Sequence, residues 1–390
     1  MESFERLKCA IRHQEPDRVP YDLAGTTVTG INKKAFIRAM EYRGLSTDYD
    51  KKEIDPIQQI VTPVEETLKL LGSDTRRIGA RRIPDFENLV TYNNGVWELT
   101  DAWGCLWKMD DRKDYYFNQY SYPIESFDSI GEGLKNYASP KLEHLSDIIR
   151  NDLLEQKSSI SNYGVIVDRN CAGLTETSLR IRGYQNWFMD TVTDPAGVEN
   201  LLDLILDYKF QYWDFVIDWL IVNNLTDRVC VLSECDDLGT QTSTLLDPEF
   251  LRMSVIKRFG TLWSHIKRRM PHVKIFMHTC GSVRTLLPDL IEAGLDILNP
   301  VQFTAADMEL KGLKREFGKD LVFWGGGVDT QSTLKKGTAL QVRDEVKRII
   351  DIMAPGGGFV YAPVHNVQED VPPENFWAMW DTLMEHGKYK

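Results

Sequence analysis

The sequence lacks any apolar run approaching the roughly 20 residues of a membrane-spanning helix. Its most apolar stretch, 215–222, carries Asp218 and follows Asp214. It also lacks a positive surplus: 46 Lys and Arg stand against 58 Asp and Glu, a formal net charge of −12. Nucleic acid and anionic membrane surfaces call for basic patches, so neither is an expected partner. Cysteine is sparse. The six (9, 105, 171, 230, 235 and 280) show no framework spacing, so no disulfide scaffold is expected. The N-terminal MESFERLKCA reads as a charged amphipathic helix without an apolar signal region. A cytoplasmic protein with reduced thiols is therefore expected. No G-K-[ST] follows Gly325, Gly326 and Gly327, or Gly356, Gly357 and Gly358, so neither run is a phosphate-binding loop.

What is present is ordinary for a globular chain: 390 residues, 42% hydrophobic and 27% charged, enough for a substantial core. That length fits two or three average domains or one large barrel with insertions. The segment 18–24 reads as a short strand, and 33–75 as largely helical. Residues 87–120 interleave Trp97, Trp103, Trp107, Tyr115, Tyr116 and Tyr120 with Asn94 and Gly95. Asn-Gly is a hairpin signal, so a β-ribbon insertion is expected. Its aromatics either pack it onto the body or form a lid over a ligand.

From 141 onward short apolar runs alternate with helical patterns at least six times. Helices are expected at 141–157, 183–191, 195–223, 248–269, 283–293, 308–317 and 338–353. Continuously apolar strands are buried on both faces, which means a parallel sheet covered by helices. A doubly wound sheet and a closed (β/α)8 barrel both fit. The barrel is favoured because Asp168, Glu234, His278, Asn299 and His365 all fall at strand C-termini, which converge on one mouth in a barrel.

His278-Thr279-Cys280 is the sharpest local signal. Residues i and i+2 of an extended segment face the same side, so imidazole and thiolate can meet one ion, and the pair suits zinc. A catalytic zinc needs a third ligand; His365, Glu234 and Cys235 are candidates. The bland alternative is a satisfied core histidine beside a small buried thiol. Glu234, Asp236 and Asp237 cluster after one strand as candidate catalytic carboxylates: a ligand, a general base or an orienter of His278. Helix capping in a solvated loop is the competing explanation. Arg169, Arg180 and Arg182 would suit an anionic substrate or ordinary ion pairs.

At these residues the chain resembles the uroporphyrinogen decarboxylase superfamily. The matching segments are FERLKCAIRHQEPDRVPYD, ECDDLGTQ, HTCGSVRTLLPDLIEAGLDILNPVQ, FWGGGVDTQ and GGFVYAPVHNVQEDVPPENF. In order they span nearly the whole chain. The resemblance implies an α/β fold: one distorted (β/α)8 TIM barrel over 1–390, with an N-terminal helical extension and the aromatic ribbon inserted. True decarboxylases of the family carry an arginine-rich M-R-Q-A-G-R segment after the first strand. Here the stretch is YDLAGTTVTG, without arginine, which disfavours a polycarboxylated tetrapyrrole. The corrinoid-dependent methyltransferases carry H-x-C and a later cysteine that together hold zinc. His278 and Cys280 match the pair, and His365 stands where that cysteine falls.

The resemblance thus implies a zinc site of His278, Cys280 and His365, with Glu234 as fourth ligand or proton acceptor. Asp236 and Asp237 would serve the chemistry, and Asn299, Gln302, Asp329 and Arg182 would bind or orient the substrate. The corrinoid (cobalamin) would be carried by a partner protein, and the methyl would move to or from a small molecule, O-demethylation included. A metal-free carboxy-lyase and a non-catalytic corrinoid- or tetrapyrrole-binding protein are the alternatives. An exposed barrel face would support a homodimer.

Overall fold

The computed structural model describes residues 1–50, 54–79, 90–157 and 163–389. Seven parallel strands form one curled sheet in sequence order: β1 (Thr75–Ile78), β2 (Gly164–Val167), β3 (Val229–Cys235), β4 (Lys274–His278), β5 (Ile297–Asn299), β6 (Val322–Trp324) and β7 (Phe359–Val360). Their alternating residues serve two cores. Ile166, Val231, Phe276, Ile297, Val322, Trp324 and Val360 form an inner cluster with Leu7, Ala10 and Ile11. Val165, Val167, Leu232, Ile275, Met277, Leu298 and Phe323 join the outer core with the helices. Strands buried on both faces read as unbroken apolar runs for this reason. The N-terminal helix Ser3–Ala10 closes the inner cluster at one end. Leu7 packs so tightly there that a Cβ on Gly164 would stand 2.0 Å from its Cδ2.

The expected strand at 18–24 is reduced to a single parallel bridge between Tyr21 and Tyr361. Pro20 has no N–H to give a ladder. Its carbonyl accepts from Tyr361 N at 2.8 Å, Asp22 N donates back to Tyr361 O at 2.9 Å, and Tyr21 O accepts from Asp74 N at 2.8 Å. The segment therefore lies between β7 and β1, in the eighth-strand place. The Asp74 carboxylate, fully buried, finishes the closure. It accepts from Tyr21 N at 2.9 Å, Arg18 Nη1 at 2.8 Å and Arg6 Nη1 at 2.5 Å.

The helices follow their caps. Pro195–Val222 starts on Asp194, whose side chain accepts from Gly197 N, with Pro at its first turn. Ala339–Met353 opens with a full capping box of Thr338 and Gln341. The expected helix 248–269 is interrupted by a π-helical stretch, Leu251–Ile256. The expected helical region 33–75 holds only Lys33–Tyr42 and Glu65–Leu70. Pro56 and Pro63 deny helix donors between them, and part of the 47–54 loop lies outside the described residues. Among the described residues no helix is long and apolar enough to cross a membrane.

The ribbon is a four-stranded antiparallel sheet: Val90–Asn93, Val96–Thr100, Leu106–Asp110 and Asn118–Ser121. Asn94 (φ 50°) and Gly95 (φ 84°) make its first turn. Residues 87–89 of the expected insertion lie outside the described residues. Trp103, Trp107 and Phe117 are buried, whereas Tyr92, Tyr115, Tyr116 and Tyr120 are exposed.

Replacing Asp74 by Ala would leave the Tyr21 amide unpaired and take a carboxylate partner from the buried Arg6 and the half-buried Arg18. A loss of about 3–5 kcal/mol is expected in urea unfolding; an unchanged midpoint would show that the closure does not depend on this carboxylate.

Candidate metal centre

β4 ends at His278, paired in register with Asn299 of β5 on one side and Cys235 of β3 on the other. Asn299 Nδ2 donates to Trp324 O at 2.9 Å. Its amide is thereby oriented, and Oδ1 is left to accept. His278 Nδ1 lies 2.6 Å from that oxygen, so Nδ1 carries the proton and Nε2 keeps a lone pair. That lone pair points to the Cys280 side, with Nε2 3.4 Å from Sγ. The loop after β7 brings the His365 ring to 5.3 Å from the His278 ring, inclined at 70°. One nitrogen from each histidine and the Cys280 sulfur lie within 4.8 Å of one another. Ligands of a tetrahedral zinc at about 2.0–2.3 Å stand roughly 3.4–3.8 Å apart, so small rotamer changes suffice.

The loop that carries Cys280 is held from three sides. Asp237 Oδ1 accepts from Cys280 N at 3.0 Å, and Gln302 Oε1 accepts from Gly281 N at 2.7 Å. Thr279 N donates to Asn299 O at 2.6 Å. Gly281 is required: its φ is +86°, and a Cβ there would lie 2.5 Å from Thr240 O.

Burial lowers the pKa of both histidines to about 4, with His278 itself adding to the effect on His365. At neutral pH both are uncharged donors. Burial also pushes the Cys280 thiol well up, reinforced by Asp237 and Glu176. Two neutral imidazoles and a thiol that ionises only beside a cation make a donor set that fits a borderline-soft divalent metal such as zinc. Burial and the Glu176 charge raise the Asp237 carboxyl above its usual range.

A model of the uroporphyrinogen decarboxylase (URO-D) family matches residues 176–386, more than half of the chain. The chain belongs to the uroporphyrinogen decarboxylase family. The solved structure of a methyltransferase from Methanosarcina mazei resembles it over 99% of both chains, at TM-score 0.66 and 17% identity; that likeness is one of fold. An active domain of a chitinase from Pyrococcus furiosus covers 96% of this chain and 99% of its own at 12% identity and TM-score 0.36. An endo-1,4-beta-xylanase from Caldicellulosiruptor owensensis covers 47% and 69% at 12% identity and TM-score 0.30. No curated protein matches.

Within this URO-D fold the other sequence candidates divide. Asp237, Asn299 and Gln302 brace the His278 and Cys280 segments. Glu234 does not join them. Its carboxylate accepts from Lys209 Nζ and Trp213 Nε1, both at 2.6 Å, on the helix Pro195–Val222. Successive strand residues face opposite ways, so with Cys235 on the mouth side Glu234 faces the helix layer. Asp236 caps the helix Leu174–Arg182 by accepting from Thr175 N at 2.8 Å and Glu176 N at 3.0 Å. Burial lifts its carboxyl to about 7 against those two bonds. Arg182 is consumed by Asp190 at 2.6 Å and by the carbonyls of Ile124 and Phe127 at 2.8 Å. Asp329 binds Gln331 N at 2.9 Å and the Ser332 hydroxyl, bracing its own turn.

Glu176 was not among the sequence candidates. It accepts from Arg180 Nη2 at 2.5 Å and lies 3.8 Å from Cys235 Sγ. An acid in a helix first turn with Arg four residues on was the available signal.

A folded-state pKa near 4 against about 6.5 unfolded means that the unfolded chain binds the proton first. Stability is therefore full above about pH 6.5 and falls as the pH drops towards 4. His278 alone is expected to cost the metal-free protein about 2 kcal/mol between pH 7 and pH 5. Urea titrations of the parent and of His278→Gln at both pH values check this. The variant should lose less than the parent over the interval.

Proposed function

We propose that this protein is a zinc-dependent methyltransferase that moves a methyl group between a small molecule and the cobalt of a corrinoid held by a partner protein. The observation that carries the reading is the convergence of His278, Cys280 and His365 at the strand ends of a URO-D fold. The fold likeness to the Methanosarcina methyltransferase is in keeping with it. So is the arginine-free loop 21–30, whose Thr27 N donates to Asp168.

His278 Nε2, His365 and Cys280 Sγ would hold the metal. Zinc bound there would act as a Lewis acid on the methyl-bearing oxygen or sulfur. With a single thiolate among the three donors the site is less electron-rich than one with two, which suits a methyl ether and makes O-demethylation the favoured direction of search. The chain's own contribution is positional. Asn299 fixes the His278 tautomer, and Asp237 and Gln302 hold the Cys280 loop. Asp237 and Glu176 are the carboxylates placed to take a proton at the mouth. The exposed Tyr115, Tyr116 and Tyr120 of the ribbon offer the partner an aromatic face.

Metal analysis of protein purified without added metal should find about one zinc per chain. His278→Ala and Cys280→Ser should lose it, and equal zinc in the parent and both variants would sink the metal assignment. Asn299→Ala should keep the ligands but weaken zinc binding about 10–100-fold, because the ring loses its orienting partner. Methylation of reduced free corrinoid by methyl ethers, followed by its absorption spectrum, tests the transfer itself. Turnover of uroporphyrinogen by metal-free protein would favour a carboxy-lyase instead.

A further inference from the structure

Beside the proposed metal ligands lies a second group of polar atoms that the metal site does not use. Arg169 follows β2 directly and is 3% exposed. A guanidinium carries five N–H donors. Among the described residues Arg169 Nε has no partner, and Asp168 Oδ1 stands at 3.4 Å from Nη1. That is beyond the ordinary N–H···O range. Asp168 is turned instead to Arg77 Nε at 3.0 Å and Thr27 N at 2.9 Å. Two more partnerless atoms lie around the same aspartate. The Thr27 and Ser233 hydroxyls are fully buried and unbonded. Thr27 touches Asp168 through its amide. Ser233 follows Leu232, which pairs with Val167 in the β2–β3 register, so it sits next to Asp168 across the strands.

Buried donors are rarely left unmatched, because each then loses its water without compensation. Three on adjoining segments, at the strand ends that form the mouth, mark a place prepared for an acceptor from outside the chain. The guanidinium, only loosely paired with Asp168, decides its sign. A guanidinium fork fits a planar carboxylate with two parallel bonds, and hydroxyls flanking it serve equally well as donors. β2, which Arg169 follows, pairs with β3, and Cys235 at the end of β3 pairs with His278 of β4, so Arg169 and the candidate metal ligands open on the same mouth.

We propose that Arg169 is the carboxylate-recognition site of this mouth, with the Thr27 and Ser233 hydroxyls gathered on the segments beside the neighbouring Asp168, and that the methyl-bearing substrate is a small carboxylic acid. The substrate assignment rests on the methyl-transfer reading above; the carboxylate site itself does not.

The probe pair is methoxyacetate and its uncharged counterpart 2-methoxyethanol, titrated calorimetrically into zinc-free parent, Arg169→Gln and Arg169→Lys. Methoxyacetate should bind the parent, bind Arg169→Gln at least tenfold more weakly, and bind Arg169→Lys with intermediate strength. The alcohol should not distinguish the three. The proposal is overturned if methoxyacetate fails to bind the parent, or binds Arg169→Gln as well as the parent. Should Arg169→Gln not fold, Arg169→Lys decides, since an unchanged affinity there removes the fork's role. Zinc content is read on the same proteins as purified, before the metal is stripped for the titrations. Loss of anion binding with zinc retained isolates Arg169, whereas anion binding without zinc in the parent leaves this site standing and removes the metal reading.

Discussion

The mouth of this barrel exists because a weak seam is held shut by one buried carboxylate. Seven strands are joined by parallel ladders, but the eighth place is filled by a segment whose Pro20 cannot donate and which is tied to the strand side by a single parallel bridge, Tyr21 to Tyr361. Asp74 substitutes for the missing ladder. Its oxygens take the Tyr21 amide and two arginines, Arg6 from the N-terminal helix and Arg18 from the segment itself. A lone buried carboxylate would be costly; two cations and an amide make it tolerable. The same contacts bind the N-terminal helix under the inner cluster. With the seam closed, β4, β5 and the loop after β7 face one space, and His278, Cys280 and His365 can meet. Left open, the loop bearing His365 would sit at a free sheet edge.

Within that space burial sets the chemistry. It keeps both imidazoles neutral and the thiol protonated, so the ligand atoms repel neither each other nor an approaching cation. Orientation comes from backbone groups. The Trp324 carbonyl fixes Asn299, which fixes the His278 ring; the amides of Cys280 and Gly281 are fixed by Asp237 and Gln302. Buried hydrogen bonds of this kind are screened by salt far less than a surface ion pair is.

Much of this was legible in the sequence, and the failures have identifiable causes. Unbroken apolar runs separated by helical periods gave the parallel sheet, because burial on both strand faces leaves that trace, and polar residues at the strand ends favoured a barrel over a doubly wound sheet. His278 and Cys280 were legible from i, i+2 geometry. Glu234 was misplaced although the information was present: adjacent residues of a strand cannot both face the mouth, and Cys235 is the one that does. Asp236 and Arg182 were not decidable from the sequence. The helix that Asp236 caps begins sixty residues earlier in the chain, and the carbonyls that hold Arg182 belong to Ile124 and Phe127. Such partnerships are made by the tertiary fold. The short helices within 33–75 show a third cause, since an apolar period is overridden where prolines remove the donors.

The ribbon shows how an insertion becomes coupled to the site it borders. Its aromatics offer a choice between packing and covering a ligand, and the structure buries Trp103, Trp107 and Phe117 while leaving Tyr92, Tyr115, Tyr116 and Tyr120 exposed. Trp103 lies edge-on to Tyr208 at 5.1 Å. Cys105 Sγ and Gln119 Nε2 both donate to the Arg180 carbonyl, at 3.2 and 2.7 Å. The Arg180 guanidinium lies 5.2 Å from the Trp107 ring and holds Glu176, which reaches Cys235 beside His278. A chain of contacts thus runs from the ribbon to the metal ligands through one helix turn. A ribbon gripped at a backbone carbonyl on two sides is a wall and not a swinging lid. Its exposed tyrosines then become a fixed outer face, and any protein that docks on them meets a surface already in register with the mouth.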